Sequence, residues 1–537
     1  MSQDSLSADL NSWPFEEARK ILAKIEREKK LGERKHQDVL FETGFGPSGL
    51  PHIGTFSEVA RTLWVRYAFE QLSGISTRLY AFSDDLDGLR KVPENIPNQE
   101  LVLEHLGKPL CDIPDPFGEE DSFSGHMNAK LRGFLDSFGF DYDFKASSEQ
   151  YRGGEFNAGL LKILQNYEAV RAIITPTLRA ENRADWSPFF PICEQCGKIN
   201  STRVTATHPE AGEITYICDQ DYRNIPSCGH SGRIPVTDGH AKVGWKVDWA
   251  LRWYVYGVDY EMYGKDLIES AELSAKIVRA LGGEPPVGLF YEMFLDENGQ
   301  KISKSVGKGL TIDRWLEYGP LESLSWFIFQ SPQKAKKLHF DIIPQSVDKY
   351  LKDRQEYGRD ESEARMNNPT WFVDHDKIVA GEAVEFESDV TYSMLLNLVN
   401  VLGTDDKEIV WDYLLRYDES ARKNEAVIDD MIVRALRFNR DFVVPTLQFE
   451  LPAQEMLAPL AQFRQFLEQY EGTDADVIQN ACYEAGKAHG VKLGKWFATL
   501  YRLLLGQERG PRVGTFVSMY GVQETLDLIA QRLGEDG

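Results

Sequence analysis

The alternation of apolar and polar positions changes character twice along the chain. Between residues 14 and 35, Ala18, Ile21, Leu22 and Ile25 recur among charges, the spacing of an amphipathic helix. The apolar run Val39-Leu40-Phe41 then gives way to glycines, and Phe56, Ala60, Leu63, Tyr67 and Ala68 follow at helical intervals. That order predicts a strand, a glycine-rich turn and a helix. Thr77 to Phe82 has strand character and ends in Ser83-Asp84-Asp85-Leu86-Asp87, a carboxylate cluster expected near the carboxyl edge of a sheet. Residues 91 to 122, rich in proline, glycine and acid, are predicted to loop outward. Strand logic resumes at Tyr254 to Tyr260, followed by Gly264-Lys265-Asp266 and a helix from Leu267 to Leu281 that stops at Gly282-Gly283. The interval of about 100–235 therefore reads as an insertion that splits one α/β nucleotide-binding fold over 36–290. Beyond about 345 the strand signals nearly vanish, and helical patterns run over Met394–Leu402, Met431–Phe442, Met456–Tyr470 and Val477–His489. The expected order is an N-terminal helix over 1–35, the α/β domain, a connecting region over 291–345, and an all-α domain over 346–537.

Composition narrows the classes. A chain of 537 residues with 42% apolar content exceeds what one core usually organises. No apolar stretch follows a basic N-terminal region, and no run approaches the roughly 18 apolar residues of a membrane span, so a soluble cytoplasmic protein with no membrane partner is expected. A net charge of −24 disfavours indiscriminate binding of polyanions. Local basic tracks at Lys24 to Lys35 and Lys334-Ala335-Lys336-Lys337 remain candidate RNA surfaces, or ordinary solvated helix and loop.

Thr43-Gly44-Phe45-Gly46-Pro47-Ser48-Gly49-Leu50-Pro51-His52-Ile53-Gly54-Thr55 has a distant counterpart in Lys301-Ile302-Ser303-Lys304-Ser305. Glycines let the backbone approach a nucleotide, a helix N-terminus favours anionic oxygens, and an imidazole there can donate to a phosphate. The second segment offers two ammonium groups and two hydroxyls, suited to a polyphosphate whose charge shifts during displacement. On this reading His52 bonds the phosphates while Gly46, Pro51 and Gly54 shape the turn. Lys301 and Lys304 clamp the polyphosphate as its charge shifts, and Ser303 or Ser305 adds hydrogen bonds. Gly264 and Asp266 lie where a strand hands over to a helix, so Asp266 either holds the ribose or caps that helix.

Six cysteines are too few for a disulfide scaffold. Four of them, Cys193, Cys196, Cys218 and Cys228, fall in two clusters inside the expected insertion, a donor set suited to structural zinc. His230 or His208 could replace one thiolate, and buried, inert cysteines are the plainer alternative. Asp238 to Trp253 carries His240, Trp245, Asp248, Trp249 and Trp253, too many charges for a plain core strand.

The two glycine- and lysine-bearing segments resemble the HIGH and KMSKS signatures of class I aminoacyl-tRNA synthetases. Ser83 to Pro97, His240 to Trp253, Gly264-Lys265-Asp266 and Leu505-Gly506-Gln507-Glu508-Arg509-Gly510-Pro511-Arg512 are similar, more narrowly, to the class I lysyl-tRNA synthetases, and this resemblance covers nearly the whole chain. It implies a split Rossmann-type class I synthetase catalytic domain with a zinc-bearing insertion, a KMSKS loop and stem-contact region over 291–345, and a helix-cage domain that reads the anticodon. The implied reaction is lysine with ATP and magnesium to lysyl-adenylate, then transfer to tRNA-Lys. A lysine pocket would use Asp84, Asp248 or Glu261 for the ammonium, Trp245, Trp249 or Tyr260 around the methylenes, and Gly44 near the amino-acid backbone, with His240 also among the lysine-binding residues. Gly46 departs from relatives that carry a hydroxyl there, which bears on amino-acid selection. Rival readings are a glutamate enzyme, with Arg252 or Lys246 facing a carboxylate, a non-catalytic RNA- or amino-acid-binding derivative, and a nucleotidyltransferase acting on a small metabolite.

Overall fold

The structure is a computed structural model that describes residues 10–34, 38–48, 51–94, 96–221, 225–300 and 310–535. Lys301, Ser303, Lys304 and Ser305 lie outside the described residues. The chain divides into two compact units, Met1–Gly309 with Ile328–Leu338, and Leu310–Phe327 with His339–Gly537. The connecting region expected over 291–345 thus contributes to both.

The first unit is built on a parallel sheet. β1 (Val39–Phe45) is buried at six of its seven positions, as a central strand covered on both faces must be. It pairs with β2 (Thr77–Ser83) from Val39↔Thr77 to Phe45↔Ser83. β3 (Asp143–Ala146) pairs with β2 on the outer side, and β4 (Tyr260–Glu261) pairs with β1 on the other, giving the order β3-β2-β1-β4. β3 falls inside the interval expected to be an insertion, so that boundary is corrected: a short edge strand with one fully buried position carries no apolar run to betray it. The N-terminal helix α1 (Trp13–Leu31) docks through Phe15, Ala18, Ile21 and Ile25; three of these belong to the stripe its spacing predicts, whose fourth member, Leu22, is only half-buried. α2 (Ile53–Ser73) follows the glycine turn.

A second correction concerns Tyr254 to Tyr260. Its first three residues end a helix, α3 (Trp245–Tyr256), which Gly257 closes at φ 66°, and only Tyr260 and Glu261 are strand. The aromatic and β-branched run mimics a strand locally, but Trp245, Trp249 and Trp253 recur every fourth residue and share a helix face. Beyond β4 come β5 (Tyr263–Gly264), a short 3₁₀ turn over Lys265–Leu267, α4 (Ile268–Ala280), β6 (Phe290–Tyr291) and β7 (Phe294–Leu295); β8 (Lys336–Lys337) pairs with β7. A single core runs from Phe82 on β2 through Trp249 and Leu251 to Ile214, Tyr216 and Cys218, so the cysteine-bearing strands share the sheet's packing.

Among its described residues the second unit is helical, apart from loops. Helices Tyr392–Leu402, Glu425–Phe438, Gln454–Gln469 and Ala475–Ala488 match the expected positions, with a π turn over Asn439–Val443 where one continuous helix had been predicted. Its C-terminal helices close on Phe463, Trp496, Leu500, Phe516 and Ile529.

Candidate active site

His52 caps α2. Its backbone is extended, at φ −145°, and Nδ1 accepts from Gly54 N at 2.9 Å and Thr55 N at 3.4 Å. An acceptor Nδ1 places the ring proton on Nε2, so the cap itself selects the tautomer that can donate outward. A side chain on Gly54 would begin 2.6 Å from His52 Cε1, which is why glycine is required beside the imidazole. Gly46 has no neighbour within 4 Å of a Cβ position, so a hydroxyl side chain would fit there.

These residues open on a cavity of about 420 Å³ whose walls include Gly44, Gly46, His52, Gly54, Glu58, Gly264, Asp266, Tyr291 and Phe294. Strand ends of β1, β2 and β5 and the N-terminus of α2 thus converge at the carboxyl edge of the sheet. Asp266 stands on the 3₁₀ turn, and the residue capping α4 is Leu267, which makes no side-chain bond. A side chain on Gly264 would begin 2.8 Å from Asp266 Oδ1, so glycine leaves room for that carboxylate. Pro51 precedes the cap and is not among the lining residues.

Beside the cavity lies a buried charge cluster. Arg252, from α3, is 3.0 Å from Glu42 Oε1, 2.9 Å from Asp84 Oδ1 and 4.0 Å from Asp248 Oδ2. Buried Lys242 reaches Asp87 at 2.7 Å and Asp248 at 3.7 Å, while Tyr151 donates to the other Asp248 oxygen. Glu261 Oε2 accepts from the indoles of Trp249, at 2.7 Å, and Trp253. Its Oε1 lies 3.7 Å from where a Gly44 side chain would begin, and Arg252 Nη2 lies 3.6 Å from the same point. Gly44 is therefore where cavity and cluster meet. Five carboxylates (Glu42, Asp84, Asp87, Asp248 and Glu261) face two cations, an excess of three negative charges if all ionise. Burial raises the Glu42 carboxyl well above its usual range, Asp84 to about 6 and Glu261 to about 7, with Arg252 opposing each.

The sequence of residues 11–377 matches the family described as tRNA synthetases class I (K), and 438–533 match an anticodon binding domain. A lysine–tRNA ligase of Rickettsia bellii is 44% identical over 97% of this chain and 98% of its own. That of Rickettsia felis is 44% identical over 97% of each. The chain belongs to the class I (K) tRNA synthetases. A solved glutamate tRNA ligase from Elizabethkingia meningosepticum aligns over 93% of this chain at 12% identity and a TM-score of 0.36, too low to carry an argument.

In this class I (K) synthetase three residues expected around a lysine side chain stand elsewhere. Tyr260 is fully buried on the opposite face of β4, its hydroxyl on Glu17 of α1 at 3.3 Å, because successive strand residues point to opposite faces. Glu261 takes the facing position. His240 is exposed in the turn before Ala241 and lines neither cavity. Trp245, 43% exposed, stacks on Trp249 with ring centres 6.0 Å apart and lines a separate cavity of about 180 Å³ with Asp87 and Lys242. Asp248 is held by Tyr151, Lys242 and Arg252, whereas Asp84 keeps a 27% exposed side chain. Glu42 and Glu58 escaped sequence reasoning, since a lone acid in a strand or helix carries no local signal.

The basic tracks divide as well. Lys24 is buried against Glu28 at 2.6 Å and Asp259 at 2.8 Å, so it belongs to the clasp between α1 and the sheet. Burial beside Arg61 pushes Lys336 down to about 6.

Cys193, Cys196, Cys218 and Cys228 bring their sulfurs within 4.8 Å of one another, and among the described residues theirs is the one such group that could hold a metal. Cys193 Sγ is 3.6 Å from Cys228 Sγ and Cys196 Sγ 3.8 Å from Cys218 Sγ. A disulfide requires about 2.05 Å, while a tetrahedron of sulfurs about 2.3 Å from zinc has edges of about 3.8 Å. His208 is engaged by Thr215 at 2.9 Å, and His230 lies 3.8 Å from Glu194, so the four thiols suffice without an imidazole. No described helix is long and apolar enough to cross a membrane.

Proposed function

We propose that the chain attaches lysine to tRNA-Lys in two steps. The lysine carboxylate attacks the α-phosphorus of ATP, which enters as its magnesium complex, and pyrophosphate leaves. The 2′-hydroxyl of the terminal adenosine then attacks the lysyl carbonyl and AMP departs. Neither step demands a strong acid or base from the protein; positioning and charge compensation dominate. His52 donates from Nε2 to the phosphates, Gly46 and Gly54 admit the backbone, and Asp266 holds the ribose. Lys301 and Lys304, with Ser303 and Ser305, compensate the departing pyrophosphate.

One observation carries the amino-acid choice: acids outnumber cations in the cluster that meets the cavity at Gly44, where Glu42, Asp84, Asp248 and Glu261 surround Arg252, and burial raises the carboxyls of Glu42, Asp84 and Glu261. An ammonium entering there adds a third cation to the cluster, with Glu261 and Asp84 as its acceptors and Trp249 along its stem. A substrate with a carboxylate side chain, such as glutamate, would deepen the imbalance. The four cysteines hold a zinc ion that fixes the insertion and takes no part in either step. In the second unit, a cavity of about 500 Å³ walled by Phe438, Phe442, Arg502, Gln507 and Arg509 is the surface we assign to anticodon bases. Gly506, at φ 67°, turns the chain there and gives its carbonyl to Gln448 N at 2.8 Å. The reaction belongs in the cytoplasm, with its substrates.

The test is ATP–pyrophosphate exchange against all twenty amino acids, with tRNA present. Exchange driven by lysine alone is expected; exchange driven by glutamate, or by none, would overturn the reading.

A further inference from the structure

Glu58 lies one turn beyond Gly54 on α2 and lines the nucleotide cavity. Its two oxygens serve different walls. Oε1 accepts from Gly44 N at 3.2 Å, and Oε2 accepts from the Tyr291 hydroxyl. Gly44 belongs to the strand that runs into the phosphate turn. Tyr291 stands opposite Gly264 in the parallel pairing of β5 with β6, and its ring lies 3.8 Å from where a Gly264 side chain would begin. Gly264 in turn leads to Asp266. Phe294, three residues after Tyr291, lines the cavity just before the chain reaches Lys301 and Lys304.

The same helix face reinforces this point. Arg61, 1% exposed, sets its guanidinium 5.3 Å from the Tyr291 ring centre and 5.7 Å from that of Phe294, and donates to Ile328 O at 3.3 Å. A carboxylate accepts at both oxygens, and charge-assisted bonds of this kind are about twice as strong as neutral ones. Burial, then the Glu58 charge, keeps the Tyr291 phenol protonated and donating.

We infer that Glu58 is a positioning residue for ATP: through the Gly44 amide and the Tyr291 hydroxyl it holds the phosphate-turn strand and the Asp266 turn at one mutual spacing. The amino-acid cluster reaches Gly44 through Glu261 and Arg252; the Glu58 charge acts on Glu261, whereas the Tyr291 hydroxyl bonds Glu58. Loss of that bond therefore acts on ATP rather than on lysine.

This rests on the ATP half of the proposed function. The experiment measures lysine-dependent exchange, with tRNA present, for the wild type, Tyr291→Phe, Glu58→Gln and the double variant. The expected result is a roughly tenfold rise in the KM for ATP in each single variant, a KM for lysine within about twofold in Tyr291→Phe, and a double variant no worse than the weaker single one, as one shared contact requires. An unchanged KM for ATP, equal rises in both constants for Tyr291→Phe, or multiplied losses in the double variant would overturn it. Calorimetric binding of magnesium-ATP to the wild type and Glu58→Gln, without amino acid, decides the matter even if Tyr291→Phe does not fold. It also does so if the wild type exchanges no amino acid, a result that would count against the proposed reaction alone. Weaker binding to Glu58→Gln supports the inference, and equal binding removes it.

Discussion

At the scale of single residues, the decisive positions are those whose side chains do two jobs. His52 caps a helix through Nδ1 and, by doing so, keeps its proton on Nε2. His52→Asn preserves a capping oxygen and is expected to retain the stability that His52→Ala loses, about 1 kcal/mol. Both variants should lower adenylate formation by roughly two to four orders of magnitude, the loss expected for a donor aimed at developing charge. Denaturant melts alongside exchange rates would separate the two roles, and near-normal exchange in both would remove His52 from the site. Glu261 and Asp84 carry a pH signature. Their folded-state values, about 7 and about 6, stand above the ordinary 4.5 and 3.8, so the folded chain binds more protons than the unfolded one across that interval. Stability from these groups is accordingly lost as pH rises, fully so above about 7. An entering ammonium offsets that loss only when the carboxylates are ionised. Lysine should therefore raise the melting temperature more at pH 8 than at pH 6, and the KM for lysine should rise steeply as pH falls below about 6. A pH-independent lysine shift would exclude both acids from the pocket.

At the scale of elements, one-residue parity and four-residue spacing decide what faces the site. β4 turns Tyr260 toward α1 and Glu261 toward α3, so adjacent residues have unrelated roles. α3 sets three indoles in a row, two of which grip Glu261. The helical spacing of those tryptophans was present in the sequence, yet the β-branched and aromatic run after them outweighed it. The cysteines were legible as a group because all four fall between Cys193 and Cys228, although only Cys193 and Cys196 stand at a short, regular spacing. Gly197, at φ 69°, returns its amide to Cys193 O at 2.8 Å, and Gly229, at φ 75°, returns its amide to Cys218 O at 2.9 Å. Metal analysis should find about one zinc per chain, as expected for a closed four-thiolate site. Stripping it with a chelator, or Cys218→Ser, should lower the melting temperature of the first unit, whose core includes Cys193 and Cys218. Full metal content in Cys218→Ser would exclude that thiol as a ligand.

At the scale of the whole molecule, one unit carries the cavity proposed for ATP and the other the helices matched as an anticodon binding domain. Altering an anticodon base is expected to lower kcat/KM for charging by about tenfold or more, about 1.4 kcal/mol, while lysine exchange in the presence of the native tRNA stays as it was. Equal charging of an altered transcript would remove the anticodon role. What the sequence alone determined is everything written in short-range order: the strand, glycine turn and capped helix around His52, the paired cysteines, and the helical last third. Each depends on backbone geometry and spacing within a few residues, so it can be read along the chain. Only the tertiary structure decided which acids meet. Glu42, Glu58, Asp84 and Glu261 come from four separate elements, and whether such a carboxylate is a solvated surface charge or part of a buried anionic pocket depends on packing. Burial and partner distance set that energy, and neither is a property of neighbouring letters.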